Sequence, residues 1–408
     1  MFKAIHQNDT VYFAHCYPYS YTTLQTDLQS MKTDPLRAPL FRHSILAKSV
    51  AGNNIDLLTI TKPVTCPEDL VSRKGVILSA RVHPGETNAS WMMRGLLLWL
   101  TGASCEAEEV RRRFVVKVVP MINPDGVIVG NYRCNLTGYD LNRQWMSTKK
   151  PSAGKAIPEV CAMVGLLERS VASREVVFFC DFHGHNRKNG IFMYGCESEG
   201  NDRATAGGSG KKSRKTSGKP KPPSASARRM SFTTAPTPQQ PTKKRACTPT
   251  TIRLPRSTTS ASSQDTLTNP STPPATTTST NTSTTTEPDT TTPPPLPPPP
   301  PPSPPQPKPT PKYSERVFPY LLSLSTPTLF HFRRCHFHMP ASKRGTARIS
   351  VHRRFNIAHS YTLESSFLGS QGFHFSKRDL EKMGEGVGVR CMTGFVLRVG
   401  GSGCMGLL

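Results

Sequence analysis

Apolar and polar positions along the chain follow two rhythms. GVILSAR at 75–81, FVVKVVPMI at 114–122, EVVFFCDF at 175–182 and GIFMYGC at 190–196 are short, nearly unbroken apolar runs bounded by turn residues. Such runs predict strands buried on both faces of a sheet. ASWMMRGLLLWL at 89–100 and PEVCAMVGLLERSVA at 158–172 have helical spacing instead, with Asn88 as the predicted cap of the first. Farther on, periodicity returns at ERVFPYLLSL, GTARISV and IAHSYTLESSF predict two more strands, and SKRDLEKMG predicts a short helix capped by Ser376. Strands alternating with helices imply an α/β fold with a mostly parallel or mixed sheet flanked by helices.

Between these patterned stretches, residues 198–312 lose all period. Pro220 to Pro311 hold 26 of the 39 prolines, and Arg203 to Arg256 hold 14 Lys and Arg with no Asp or Glu. Thr, Ser and Pro cannot bury enough apolar surface to offset ordering entropy, so this segment reads as a disordered, basic insertion of polyproline II character. Arg203 to Arg256 alone thus contribute more than half of the formal charge of +25. The insertion interrupts one domain, because the patterned residues on either side are together enough for a single sizeable core.

Composition narrows the remaining classes. No run of 18 apolar residues is present, and MFKAIHQNDT lacks the apolar segment of a signal peptide. The 11 cysteines are odd in number, scattered, and without a CxxC pair, which fits a reducing compartment and predicts a cytoplasmic protein. No nucleic-acid motif and no G-x-x-x-x-G-K-[ST] loop occurs, so neither nucleic acid nor a nucleotide cofactor is an expected ligand.

Four segments carry residues able to do chemistry. In ARVHPGETNAS, a Pro-Gly turn separates His83 from Glu86, a spacing that suits two metal ligands and equally an ordinary turn. EVVFFCDFHGHN runs from an apolar strand into Asp181, His183 and His185, at the strand end where open α/β sheets gather ligands. INPDGVIVGNYRCNLTGYDLNRQW at 122–145 contains Arg133, Asn142 and Arg143; arginines suit a carboxylate or a developing oxyanion, and a solvated loop is the plainer reading. In SYTLESSF, Glu364 lies among Tyr361, Leu363 and Phe367, partly apolar surroundings that can raise a carboxyl pKa toward the working range of a general base, while an exposed glutamate at a strand end is the plainer reading.

HPGE, NPDGVIVGNYRCNLTGYDLNRQW, CDFHGHNRKNGIFMYGC and SYTLESSF, in this order, resemble the cytosolic carboxypeptidases, a branch of the zinc metallocarboxypeptidases. The likeness runs from about Val11 to about Gly384 outside the insertion. It implies a mixed eight-stranded sheet flanked by helices, and one Zn2+ ion held by His83, Glu86 and His183. The resemblance makes Glu364 the general base and Arg133 the group that stabilises the carbonyl oxygen. It gives Asn142 and Arg143 the substrate's terminal carboxylate, and leaves His185 to support the loop. The implied substrates are acidic tails, with polyglutamylated tubulin the leading candidate and microtubule association a corollary. Such a substrate needs a positive pocket. ASKRGTAR at 341–348 offers Lys343, Arg344 and Arg348, with Arg348 favoured.

The family's order divides the chain into a remnant of a β-rich N-terminal domain and lead-in at 1–65, two parts of the carboxypeptidase domain at 66–197 and 313–386 around the insertion, and a Gly-rich divergent tail at 387–408. Two other functions compete with a protein deglutamylase. An amidohydrolase of N-acyl amino acids shares the zinc scaffold but lacks the long GNYRC to DLNRQW match. A scaffold protein with a vestigial site would act through the insertion, whose proline tract suits SH3, WW or profilin-type partners.

Overall fold

In the computed structural model, residues 10–11, 13–150, 152–197 and 314–392 are described. The insertion expected at 198–312 and most of the tail expected at 387–408 lie outside them. Seven strands form one mixed sheet: β1 (Phe41–Lys48), β2 (Asn54–Ile60), β3 (Lys74–Ala80), β4 (Phe114–Val119), β5 (Val176–His185), β6 (Ile191–Tyr194) and β7 (His359–Ser366), in the order β1-β2-β4-β3-β5-β7-β6. The described residues thus supply seven strands where the family likeness implied eight. β4, β3, β5 and β7 are mutually parallel, and antiparallel pairs close both edges. The parallel strands are the continuous apolar runs, since a strand covered on both faces needs apolar residues at successive positions.

The described residues also form ten α-helices: α1 (Tyr21–Thr33), α2 (Pro67–Ser72), α3 (Thr87–Leu100), α4 (Cys105–Arg113), α5 (Pro124–Val129), α6 (Ala153–Ala156), α7 (Pro158–Ser173), α8 (Ser314–Ser325), α9 (Ala347–Phe355) and α10 (Lys377–Gly386). One face of the sheet packs with α1, α3, α8 and α10 around Met92, Leu96, Phe178 and Tyr361. The other packs with α7 and α9 around Trp145, Leu167 and Phe179. Gly95 and Gly384 let α3 and α10 touch backbone to backbone: a Cβ at Gly95 would lie 2.0 Å from the Glu381 carbonyl oxygen. Ser376 caps α10 through a capping box with Asp379, as its position predicted.

Three expectations change. GTARISV forms the start of helix α9 and not a strand. Its first amide, Ala347 N, donates to Asn142 Oδ1 at 2.9 Å, so the helix start is satisfied by a residue remote in sequence. Asn88 lies inside α3, whose N-cap position is Glu86; its side chain instead donates to Ser365 O at 2.7 Å, tying α3 to β7. Residues 41–60, expected within the lead-in, supply β1 and β2 of this same sheet.

Candidate active site

β3 and β5 run parallel, and Ala80, the last residue of β3, pairs with Phe182, one residue before His183 in β5. Their exits therefore deliver His83, Glu86 and His183 to one point. Just past β3, Arg81 adopts a left-handed backbone (φ 59°), a conformation that costs a non-glycine residue about 1 kcal/mol or more. Buried hydrogen bonds hold it there: Arg81 Nε donates to Pro84 O at 2.8 Å, and Nη1 to Tyr19 O at 3.0 Å and Ser90 Oγ at 2.8 Å. These bonds fix the turn that carries His83 and Glu86.

Both histidines present Nδ1 to Glu86: His83 to Oε1 at 2.8 Å and His183 to Oε2 at 2.9 Å. All three are buried, and one donor atom from each lies within 4.8 Å of the others. The far nitrogens face carboxylates, His83 Nε2 at 3.1 Å from Asp140 Oδ1 and His183 Nε2 at 2.6 Å from Asp181 Oδ2. Asp181 also accepts from Ser79 Oγ at 2.7 Å. A carboxylate behind each imidazole fixes the tautomer that leaves Nδ1 free to ligate. Gly184 N donates to Glu86 Oε2 at 2.9 Å, and a Cβ on Gly184 would meet Asn88 Oδ1 at 2.4 Å. Only glycine fits that approach.

Electrostatics favour added positive charge. Burial alone would lower the pKa of His83, yet Glu86 and Asp140 carry it above the usual value. At His183 burial likewise opposes protonation, and Asp181 with Glu86 overcomes it by a wide margin. Burial would raise Glu86 and Asp140, but the imidazoles, and Arg133 for Asp140, hold both below the ordinary carboxylate range. Three carboxylates around two imidazoles, with two nitrogen donors and one oxygen donor converging, fit a zinc ion.

Glu364 lies opposite His183 across the β5–β7 ladder, on the same face of the sheet. Burial pushes its carboxyl up to about 8, Glu86 adding and the histidines opposing. Arg133 Nε donates to Asp140 Oδ2 at 2.8 Å. Its loop docks on the ligand turn where Gly85 N donates to Tyr132 O at 2.9 Å, and a Cβ on Gly85 would strike the Tyr132 ring at 2.6 Å. Asn142 is buried, its amide nitrogen 3.4 Å from His183 Nε2. Arg143 Nη1 donates to Asn142 O at 2.8 Å.

The 341–348 segment closes the same site, with Trp145 N donating to Gly345 O at 3.2 Å. Exposed Lys343 has its pKa lowered by partial desolvation and by Arg143 and Arg133, with Asp140 and Glu364 opposing, which puts it at the site mouth. Arg348 is buried; its guanidinium donates to Gly195 O and to Cys196 Sγ and lies 5.8 Å from the Tyr194 ring centre. Arg344 is exposed. His185 Nδ1 accepts from Arg187 N and Lys188 N, both at 3.0 Å, and so supports the loop after β5. Sequence reasoning missed Asp140 and Arg81. Asp140 was visible only as the residue before LNR, where it also caps Asn142 N at 3.1 Å.

Residues 29–278 match the zinc carboxypeptidase family. Over 388 residues, 94% of the chain, the sequence is 34% identical both to cytosolic carboxypeptidase 2 of Xenopus tropicalis and to cytosolic carboxypeptidase 3 of Bos taurus. A stretch of 193 residues, 47% of the chain, is 49% identical to cytosolic carboxypeptidase 2 of Mus musculus. The chain spans 28% of the length of the first two relatives and 22% of the third. Its fold is similar to the metallo-carboxypeptidase of Burkholderia cenocepacia (TM-score 0.56, 18% identity, 95% of this chain and 70% of that one). It is also similar to that of Pseudomonas aeruginosa solved with (2-guanidinoethylmercapto)succinic acid (TM-score 0.55, 20% identity, 94% and 70%).

Proposed function

The chain belongs to the zinc carboxypeptidase family, in its cytosolic carboxypeptidase branch, and on that premise we propose that it is a zinc-dependent carboxypeptidase of the cytoplasm that removes glutamate from acidic protein tails, polyglutamylated tubulin among them. The observation that carries the peptidase reading is Glu364 facing the His83–Glu86–His183 cluster from the next strand. Zinc, when bound, polarises a carbonyl and acidifies water. Glu364, as the carboxylate, takes a proton from the attacking water and returns it to the leaving amine. Arg133, aimed by Asp140, stabilises negative charge on the carbonyl oxygen. Arg143 grips the terminal carboxylate, and Asn142 holds both Ala347 N and the His183 edge so that this grip stays in register.

Preference for glutamate is supported by Arg348. Its buried guanidinium has no carboxylate partner among the described residues and lies near Glu364 and Tyr194. A buried cation without a counterion is costly, and an incoming glutamate side chain supplies the missing charge; Lys343 adds positive potential at the entrance. Mass spectrometry of a glutamate-ended peptide incubated with the protein tests the reading. Chelator-sensitive release of glutamate by wild type, abolished in Glu364→Gln, is expected. No release, or equal release by the variant, overturns it.

A further inference from the structure

The active-site end of the sheet carries cations that this chemistry does not use. β6 and β7 are antiparallel, with Ile191 opposite Ser365 and Phe192 opposite Glu364, so the turn leading into β6 stands beside Glu364. That turn carries Arg187 and Lys188. Segment 331–338 runs along β6: His331 N donates to Ile191 O at 2.8 Å, His336 N donates to Met193 O at 3.0 Å, and Arg334 Nη1 donates to Asn189 O. This contact brings Arg333 and Arg334 next to the turn.

Arg187, Arg333 and Arg334 are exposed and Lys188 is half-buried; none has a carboxylate partner among the described residues. Lys188 is not a loose surface chain. Its Nζ donates to His336 Nε2 at 2.9 Å and sits 4.9 Å from the centre of Phe192 and 5.7 Å from that of Tyr194. His336 stacks on Tyr194, with ring centres 5.8 Å apart. Arg348 lies 5.8 Å from the same Tyr194 ring. Positive charge therefore passes from the buried Arg348 across Tyr194 to Lys188 and out to three arginines. Like charges held this close repel one another unless an anion joins them.

We propose that Arg187, Lys188, Arg333 and Arg334 form a docking surface for the acidic polypeptide segment that precedes the residue being removed, an inference that rests on the carboxypeptidase reading above. The patch continues directly from a site built for a carboxylate-bearing chain end, which favours a carboxylate-rich peptide over other polyanions.

The test compares two peptides with the same terminal glutamate, one with an acidic and one with a Gln/Ser upstream segment, on wild type and on a triple variant, Arg187→Gln, Lys188→Gln and Arg333→Gln. Arg334 is kept because it ties the two segments together. The ratio of kcat/KM for acidic over neutral peptide is expected to fall about tenfold in the variant, mainly through KM, and to shrink in wild type at high salt. An unchanged ratio overturns the proposal. If wild type cleaves neither peptide, the carboxypeptidase reading fails by itself, and fluorescence anisotropy of the labelled acidic peptide then reads docking directly. Binding about tenfold weaker in the variant upholds the surface. Equal binding by both proteins, or tighter binding of an oligonucleotide of equal charge, overturns it.

Discussion

Glu159 gives the sharpest test of how the loop that carries Arg133 and Asp140 is supported. It lies in the first turn of α7, fully buried, and its carboxyl oxygens are 3.4 and 3.5 Å from Asn135 Nδ2. Asn135 in turn organises the loop bearing Arg133 and Asp140, accepting through Oδ1 from Thr137 N, Thr137 Oγ1 and Tyr139 N. Burial raises the Glu159 carboxyl from 4.5 to about 7, with the Asn135 bond opposing and Asp125 adding. A raised acid sets the sign. Below the unfolded value both states hold the proton and there is no penalty. Between the unfolded and folded values the unfolded chain ionises first, so stability falls as pH rises; above the folded value the loss is constant. At about 1.4 kcal/mol per tenfold change, the full penalty is about 3 kcal/mol. Glu159→Gln keeps a neutral group of the same shape and removes it. Unfolding free energies from denaturant titrations at pH 4 and pH 8.5 should nearly coincide with wild type at the lower pH and exceed it by up to about 3 kcal/mol at the higher. Titration of the metal ligands is common to both proteins and cancels in the difference. A variant advantage independent of pH, or larger in acid, refutes the reasoning.

Two further predictions rest on packing and on the groups behind the ligands. Asp140→Asn removes the charge shared by His83 Nε2 and Arg133 Nε, so zinc affinity, read by competition with a chromophoric chelator, should fall about 10–100-fold; unaltered affinity would mean that Asp140 does not orient the ligand. Gly95→Ala puts a methyl 2.0 Å from the Glu381 carbonyl oxygen and should force α3 from α10, lowering stability by roughly 2–4 kcal/mol in urea unfolding.

The central strands were legible because burial on both faces writes itself as unbroken apolar sequence, and the α10 cap was legible because both partners of its box lie within one turn. Helix α9 was misread for the opposite reason. Ile349 and Val351 alternate with polar residues like a strand, while Ala347, Arg348, Ile349, Ser350 and Val351 are all buried, and the cap for Ala347 N comes from Asn142. β1 was missed because this edge strand is only partly buried and Arg42, His43 and Ser44 follow one another in it, and β2 because Asp56 and Thr59 break its apolar run although Asp56 is buried. At the site, the ligand segments announced themselves as polar residues closing apolar strands. Asp140 and Arg81 did not, because their roles depend on neighbours brought together only by folding: His83 and Arg133 for one, Tyr19 and Ser90 for the other.

The central claim is that His83, Glu86 and His183 hold one zinc ion while Glu364 faces it without binding it. Elemental analysis of wild type, Glu86→Ala and Glu364→Gln, each purified with zinc and desalted, tests this directly. About one zinc per chain in wild type and in Glu364→Gln, with near-complete loss in Glu86→Ala, is the predicted result. Zinc retained by Glu86→Ala, or lost from Glu364→Gln, contradicts the account.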